Sequence, residues 1–392
     1  IGFKANGVHC GIRKNKTKRD LSLIVSDVRC AAACVYTQNL VKGAPIAVTK
    51  SHVADGYAQA IVCNSGNANT CNANGVEIAE GMCSLVSEKT GIPAADVVVA
   101  STGVIGQPLS LEPIAAGMDE LVRGLGDNSL YAAQGIMTTD TVDKQIAYTF
   151  TLGGKECRIG AIGKGVGMIN PNMATMLIFI TTDVSISPAM LQKALSADVK
   201  DSFNMVSVDG DTSTNDMVCV LANGLAGNDT IEENGKDFVT FRKALNKVTT
   251  NLCRRIAKDG EGATKLLECK VVGAKSKSAA KLIAKSVIKS SLFKAAMFGA
   301  DANWGRVLCA IGYAGADADI HKIDVDFKSR EGTLAVCRGG SGIPFSEEEA
   351  KRILSQDEIE ILINMNDRGG KATAWGCDLT YDYVKINGDY RT

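Results

Sequence analysis

The stretch Asn170-Pro171-Asn172-Met173-Ala174-Thr175-Met176-Leu177-Ile178-Phe179 places a threonine at the head of an apolar, β-favouring run, directly after a small residue and a Pro/Asn turn signal. A hydroxyl so placed is set to attack its own preceding carbonyl. Scission of the Ala174–Thr175 bond would leave Thr175 with a free α-amino group beside its hydroxyl, and that amine is the general base a neutral hydroxyl needs. One cut would create nucleophile and base together. Without its flanks, the same stretch reads as an ordinary turn entering a buried strand.

Upstream lies Gly160-Ala161-Ile162-Gly163-Lys164-Gly165-Val166-Gly167-Met168-Ile169, so the segment reads Lys-Gly-x-Gly-Met-Ile-x-Pro-Asn-Met-Ala-Thr-Met-Leu. Further ordered segments precede it: Gly7-Val8-His9-Cys10-Gly11-Ile12, Asn64-Ser65-Gly66-Asn67-Ala68-Asn69, Ser101-Thr102-Gly103-Val104-Ile105-Gly106 and Met137-Thr138-Thr139-Asp140-Thr141. Others follow it: Asp209-Gly210-Asp211-Thr212-Ser213-Thr214-Asn215-Asp216, Asp259-Gly260-Glu261-Gly262-Ala263-Thr264-Lys265, Asn303-Trp304-Gly305-Arg306 and Tyr383–Thr392. Together they resemble the ornithine acetyltransferase family, the bifunctional glutamate/ornithine acetyltransferases of arginine biosynthesis. The resemblance covers essentially the whole chain.

A chain of 392 residues with 45% hydrophobic content can fill sizeable cores in about two or three domains. Lys+Arg and Asp+Glu are both 43, so no basic excess advertises nucleic acid or an anionic membrane as a partner. The 13 cysteines are scattered without a Cys-x-x-Cys, and the closest pair, Cys30 and Cys34, has no nearby histidine, which predicts free, mostly buried thiols in a reducing cytoplasm and no zinc site. His9, His52 and His321 stand in unrelated contexts, and nothing favours a Ser-His-Asp machine. No apolar run approaches the roughly 18–20 residues needed to span a bilayer, and no signal peptide is expected at Ile1.

Strand-like and helix-like runs alternate throughout, an α/β pattern. Ala58–Cys63 and Val97–Ala100 each run into a glycine-bearing polar loop, where such proteins usually place chemistry. Ile146, Tyr148, Phe150 and Leu152 alternate, turn at Gly153-Gly154 and resume at Cys157, predicting a hairpin that ends at Lys164. Ser187-Pro188 and Ser346-Glu347-Glu348-Glu349 read as helix starts. Lys277, Lys281, Lys285 and Lys289 repeat every four residues, predicting an amphipathic helix with a wet basic face. The polar stretch 273–278 predicts a boundary between an N-terminal α/β domain, 1–272, and a smaller C-terminal α/β domain, 279–392. Each Gly-Lys pair lacks the following Ser/Thr of a phosphate loop, and Asp209–Asp216 lacks the terminal glutamate of a calcium loop, so no metal is assigned.

The resemblance implies an αββα-type two-domain sandwich of the self-processing aminopeptidase/ornithine acetyltransferase class. It implies Thr175 as nucleophile, cleavage between Ala174 and Thr175, and Thr102 with Gly103 as the oxyanion donors. Thr141, Lys164, Thr175, Glu261, Asn387 and Thr392 match the family's substrate-binding positions, with Lys164 suited to a negative group and Glu261 to the δ-ammonium of N-acetylornithine. Read alone, Thr102-Gly103 is a turn, and Lys164 and Glu261 are surface charges in glycine-rich loops. Asn67, Asn69 and Asp211 read as structural. The activity implied is glutamate N-acetyltransferase: Thr175 takes acetyl from N-acetyl-L-ornithine and passes it to L-glutamate. No cofactor is implied, acetyl-CoA stays open as a second donor substrate, and the cut α and β chains are expected as an α2β2 assembly in the cytoplasm. Two other readings stand beside it, a self-processed aminopeptidase of the same fold and a non-catalytic amino-acid-binding relative.

Overall fold

The computed structural model describes residues 1–170 and 176–389; Ala174, Thr175 and Thr392, and the cleavage junction with them, lie outside the described residues. The chain divides into two compact units, the first made of 1–165, 172–203 and 212–252, the second of 166–171, 204–211 and 253–392.

The first unit is built on a mixed sheet in the order Val97–Ser101, Tyr57–Asn64, Leu21–Tyr36, Met217–Ala222, Leu177–Thr182, Lys155–Lys164, Lys144–Leu152, with Phe3–Val8 also paired to Leu21–Tyr36. Tyr57–Asn64 runs parallel to Val97–Ser101, and Leu177–Thr182 parallel to Met217–Ala222. Successive side chains of a strand point to opposite faces, and here both faces are covered. Ala60, Val62, Val97 and Val99 pack with Ile78 and Met82 of helix Gly75–Thr90 and Ile114 and Met118 of helix Glu112–Arg123. Their neighbours Ile61, Cys63, Val98 and Ala100 join Ala132, Ala133 and Phe179 in a second core. Two covered faces explain why these strands read as unbroken apolar runs.

The hairpin predicted around Gly153-Gly154 is present: Lys144–Leu152 pairs with Lys155–Lys164, and the two glycines have φ of 52° and 81°, the left-handed pair a type I′ turn requires. Ser187 caps helix Pro188–Asp198 by accepting the Met190 N–H at 3.4 Å, and Ser346 caps Glu347–Leu354 through the Glu349 N–H at 3.2 Å.

The second unit carries a sheet in the order Ser341–Gly342, Gly332–Arg338, Asp324–Ser329, Glu358–Asn364, Leu266–Ala274, Gly370–Cys377, Val206–Ser207. Helix Lys277–Lys289 lies on it through Ala280, Ile283, Ala284, Val287 and Ile288. Its lysine stripe corrects the expectation of a wet face. Four-residue steps on a 3.6-residue helix drift around the axis, so Lys277 and Lys289 are exposed but Lys285 turns inward. The Lys285 ammonium donates to the Asn204 carbonyl at 2.8 Å and to that of Val206, and burial pulls its pKa down to about 7.

Two helix-backed mixed sheets make this an α/β chain, the class expected. The expected boundary at 273–278 is corrected: that stretch only links strand Leu266–Ala274 to helix Lys277–Lys289 inside the second unit. The division falls instead within helix Lys236–Lys258, and the second unit also takes the short segments 166–171 and 204–211. Hydrophobic periodicity carries no information about such excursions. All 13 cysteines are free, and all but Cys10, Cys71 and Cys309 are buried. Among the described residues no helix is long and apolar enough to cross a membrane.

Candidate active site

In the first unit, two loops leave parallel strands side by side. Asn64 pairs with Ser101 at the strand ends, and the Thr102 N–H continues the ladder to the Asn64 carbonyl at 2.9 Å. Asn64 shapes both loops: its amide donates to the Ser101 hydroxyl at 2.7 Å, and its Oδ1 accepts the N–H groups of Gly66 and Asn67 at 3.2 and 3.1 Å. Asn67 Oδ1 in turn accepts the Asn69 N–H at 2.7 Å, and Asn69 sits in the left-handed region with φ 50°. From below, Asn215 donates to the carbonyls of Ala68 and Ser101 at 2.5 and 2.9 Å and accepts from Thr70 and Thr214. The expectation that Asn67 and Asn69 are structural agrees with these roles.

Gly103 stands where the loops are closest. Its φ is 131°, and a Cβ there would lie 2.7 Å from Asn67 N and Gly66 C, both backbone. Only glycine fits. No described group takes the Gly103 N–H. Beside it, the Thr102 hydroxyl accepts from the Lys164 ammonium at 3.5 Å, which leaves its own proton free to be donated elsewhere.

Lys164 ends strand Lys155–Lys164 and is buried. Burial lowers its pKa from the usual lysine range, Asp140 pulls it back up, and Lys144 pushes it down again. Asp140 is the counter-charge. Its Oδ1 takes the buried Lys144 ammonium at 2.7 Å and the Gly165 N–H at 3.0 Å, and its Oδ2 takes the Thr138 N–H at 3.0 Å. Burial alone would raise the Asp140 carboxyl, but Lys164 and Lys144 outweigh it and hold the pKa at about 2. Asp216 is the opposite case. Burial drives its carboxyl well above the usual range, and its Oδ2 has no partner among the described residues. Thr141 follows Asp140 in an exposed turn.

In the second unit, Glu261 sits in a loop whose glycines are forced by close approach: a Cβ on Gly260 would lie 2.7 Å from Cys377 Sγ, and one on Gly262, at φ 67°, 2.6 Å from Tyr383 N. The Glu261 N–H bonds to the Val166 carbonyl at 2.9 Å, and its Oε2 accepts Asn387 Nδ2 at 2.8 Å. Asn387 rides on helix Tyr381–Gly388, capped by Thr380, whose hydroxyl also donates to the Gly262 carbonyl at 2.6 Å. Glu261 lies against Gly167, where a Cβ would stand 2.5 Å from the carboxylate carbon.

The ArgJ family model matches residues 4–392. This chain belongs to the ArgJ family. It is 50% identical over 392 residues to the arginine biosynthesis bifunctional protein ArgJ 1 of Clostridium acetobutylicum, covering 100% of this chain and 96% of that protein. It is 48% identical over 393 residues to the arginine biosynthesis bifunctional protein ArgJ of Caldanaerobacter subterraneus subsp. tengcongensis, covering 100% of this chain and 97% of that one. The crystal structure of the arginine biosynthesis bifunctional protein ArgJ from Bacillus halodurans aligns with a TM-score of 0.51 at 46% identity, over 54% of this chain and 97% of that chain.

Of the residues this ArgJ family member was expected to use, the structure brings Thr102, Gly103 and Lys164 together in one unit, and Glu261 with Asn387 in the other. Asn64, Asn215, Asp140 and Asp216 were not singled out by sequence reasoning. Asp140 and Lys144 do carry one signal, opposite charges four residues apart, but that spacing cannot tell a buried pair from a surface one. One cavity of the first unit, of about 290 Å³ and lined by Phe3, Ile24, Ile146 and Phe179 among others, shares no residue with this set.

Proposed function

We propose that this ArgJ family chain is a self-processing acetyltransferase that moves acetyl from N-acetyl-L-ornithine to L-glutamate. The observation that carries the reading is the pair of uncommitted donors, the Thr102 hydroxyl polarised by Lys164 at 3.5 Å and the adjacent Gly103 N–H held by a backbone only glycine can adopt. Two adjacent donors on one loop are what an oxyanion requires.

In this reading the Ala174–Thr175 bond is cut autocatalytically, and the new α-amine serves Thr175 as base. The Thr175 oxygen attacks the acetyl carbonyl, its proton passes to the amine and then to the leaving nitrogen, and ornithine departs. The amine of glutamate next attacks the ester, and N-acetylglutamate leaves with the threonine hydroxyl restored. Thr102 and Gly103 stabilise both tetrahedral oxyanions. Lys164 serves a substrate carboxylate, Glu261 the δ-ammonium, and Thr141, Asn387 and Thr392 complete the binding set. No cofactor or metal takes part, and the α and β pieces assemble as α2β2 in the cytoplasm.

Mixing the protein with N-acetylornithine in the absence of glutamate tests this. The fragment beginning at Thr175 should gain the mass of one acetyl group and lose it when glutamate is added. Acetyl transfer proceeding on a chain that is never cut and never acetylated would overturn the proposal.

A further inference from the structure

Upstream of the Ala174–Thr175 bond, segment 166–171 is the part of the chain that belongs to the second unit, and it precedes the cleavage junction by a few residues in sequence. Its described residues are tied down almost one by one. The Val166 carbonyl takes the Glu261 N–H at 2.9 Å, the Ile169 carbonyl takes the Val208 N–H at 2.7 Å, and Asn170 Nδ2 donates to the Gly210 carbonyl at 2.9 Å. Between them, consecutive N–H groups close on one carboxylate: Met168 N–H on Asp209 Oδ2 at 2.6 Å and Ile169 N–H on Asp209 Oδ1 at 2.9 Å. Met168 has φ 55°, a left-handed conformation that a residue with a side chain rarely adopts. Two successive N–H groups turned to one side form a concavity for an anion, and the anion here is Asp209. The carboxylate is itself braced by the Tyr383 hydroxyl at 3.4 Å, and the preceding residue is held by the buried Lys294, whose ammonium donates to the Val208 carbonyl.

We propose that Asp209 is a positioning residue for self-cleavage, its carboxylate fixing Met168 and Ile169, which precede the Ala174–Thr175 junction in sequence. The inference rests on the self-processing reading above and adds to it a residue outside the substrate-binding set. In the step concerned, the Thr175 oxygen bonds to the Ala174 carbonyl carbon, the C–N bond breaks and the hydroxyl proton passes to the amine. Water then cleaves the ester, leaving the Ala174 carboxylate, a released proton and the free hydroxyl. Because the attack is intramolecular, its rate depends on alignment, and misplacement by about 1 Å can slow such a reaction ~100-fold. The two charge-assisted bonds hold an otherwise disfavoured backbone turn at Met168, six residues before the scissile carbonyl of Ala174. The Asp209-Gly210-Asp211 segment, a failed match to a calcium loop, thereby gains a role that needs no metal.

The test follows uncut chain made in a cell-free system as it converts to one piece ending at Ala174 and one beginning at Thr175. Asp209→Asn keeps the shape but sets an NH2 against one of the two backbone donors. It should slow conversion by about 10- to 100-fold while the turnover of each cut molecule stays at the wild-type level. Adding Met168→Gly should restore much of the rate, since glycine adopts φ 55° without help. If Asp209→Asn does not fold, Tyr383→Phe, which removes one bond to the same carboxylate, should slow cutting by about 2- to 5-fold. Cutting of the folded Asp209→Asn or Tyr383→Phe chain at the wild-type rate, or an Asp209→Asn enzyme whose turnover per cut molecule falls as far as its cutting rate, overturns the proposal. A wild-type chain that never cuts overturns the self-processing reading instead.

Discussion

The Lys164 ammonium lies 3.5 Å from the Thr102 hydroxyl, 62 residues away in sequence, and donates to it. A hydroxyl that accepts from a buried cation gives up its own proton more readily, so the pair behaves as a strengthened donor to any oxyanion formed in front of it.

Thr102→Ala should therefore lower turnover by roughly 10²–10³-fold while leaving the Michaelis constants close to normal, because the lost donor acts on the tetrahedral intermediate. Steady-state kinetics with N-acetylornithine and glutamate check this. Unchanged turnover with a greatly raised Michaelis constant would move Thr102 from catalysis to binding.

Glu261→Gln preserves an oxygen for Asn387 and the shape beneath Gly167 but removes the charge. A charge-assisted hydrogen bond contributes about 1.5–3 kcal/mol, so the apparent affinity for N-acetylornithine should fall roughly 10- to 100-fold. Thermal stability should stay nearly unchanged. Equal affinity in the variant would exclude Glu261 from the ammonium site.

Asp140 makes a prediction in stability rather than turnover. Its folded carboxyl titrates at about 2, against about 3.9 when unfolded, so its contribution is fully present above pH ~4 and is lost as pH falls through 2. Asp140→Asn takes the Asp140 charge away from the buried Lys144 and Lys164 ammoniums and should cost about 3–5 kcal/mol at neutral pH. Urea unfolding at pH 7 and at pH 3 measures both effects, and a variant as stable as the wild type would contradict the buried-pair geometry.

Asp216 should behave with the opposite sign. Burial keeps its folded carboxyl protonated above the pH at which the unfolded one ionises, so stability is lost as pH rises from about 4 through the folded pKa. Asp216→Asn removes that loss. The variant should be at least as stable as the wild type at pH 7, with a flatter stability profile above pH 4. A drop of several kcal/mol would mean that the carboxylate is ionised and paired.

Local chemistry determined much of this molecule before any packing was known. The period-two runs and the Gly-Gly turn specify strands and a hairpin because a strand's side chains alternate and only glycine pairs comfortably in that turn. The glycine-bearing loops after Ala58–Cys63 and Val97–Ala100 were legible for the same reason, since each apolar run ends in residues that cannot continue it. Serine caps at Ser187 and Ser346 were legible too, because a cap depends on residues within one helical turn. What depends on burial was not. Lys285 and Lys164 read as solvated cations, and nothing near them in sequence says that Asn204 and Val206 carbonyls, or Asp140 and Thr102, will surround them. The same holds for Asn215, which ties Ala68 to Ser101 across 147 and 114 residues. The unit boundary escaped as well, because segments 166–171 and 204–211 leave one unit for the other through hydrogen bonds such as that between Val208 and Ile169. Desolvation, close backbone approach and long-range hydrogen bonds are properties of neighbours in space, and only the tertiary structure decides who those neighbours are.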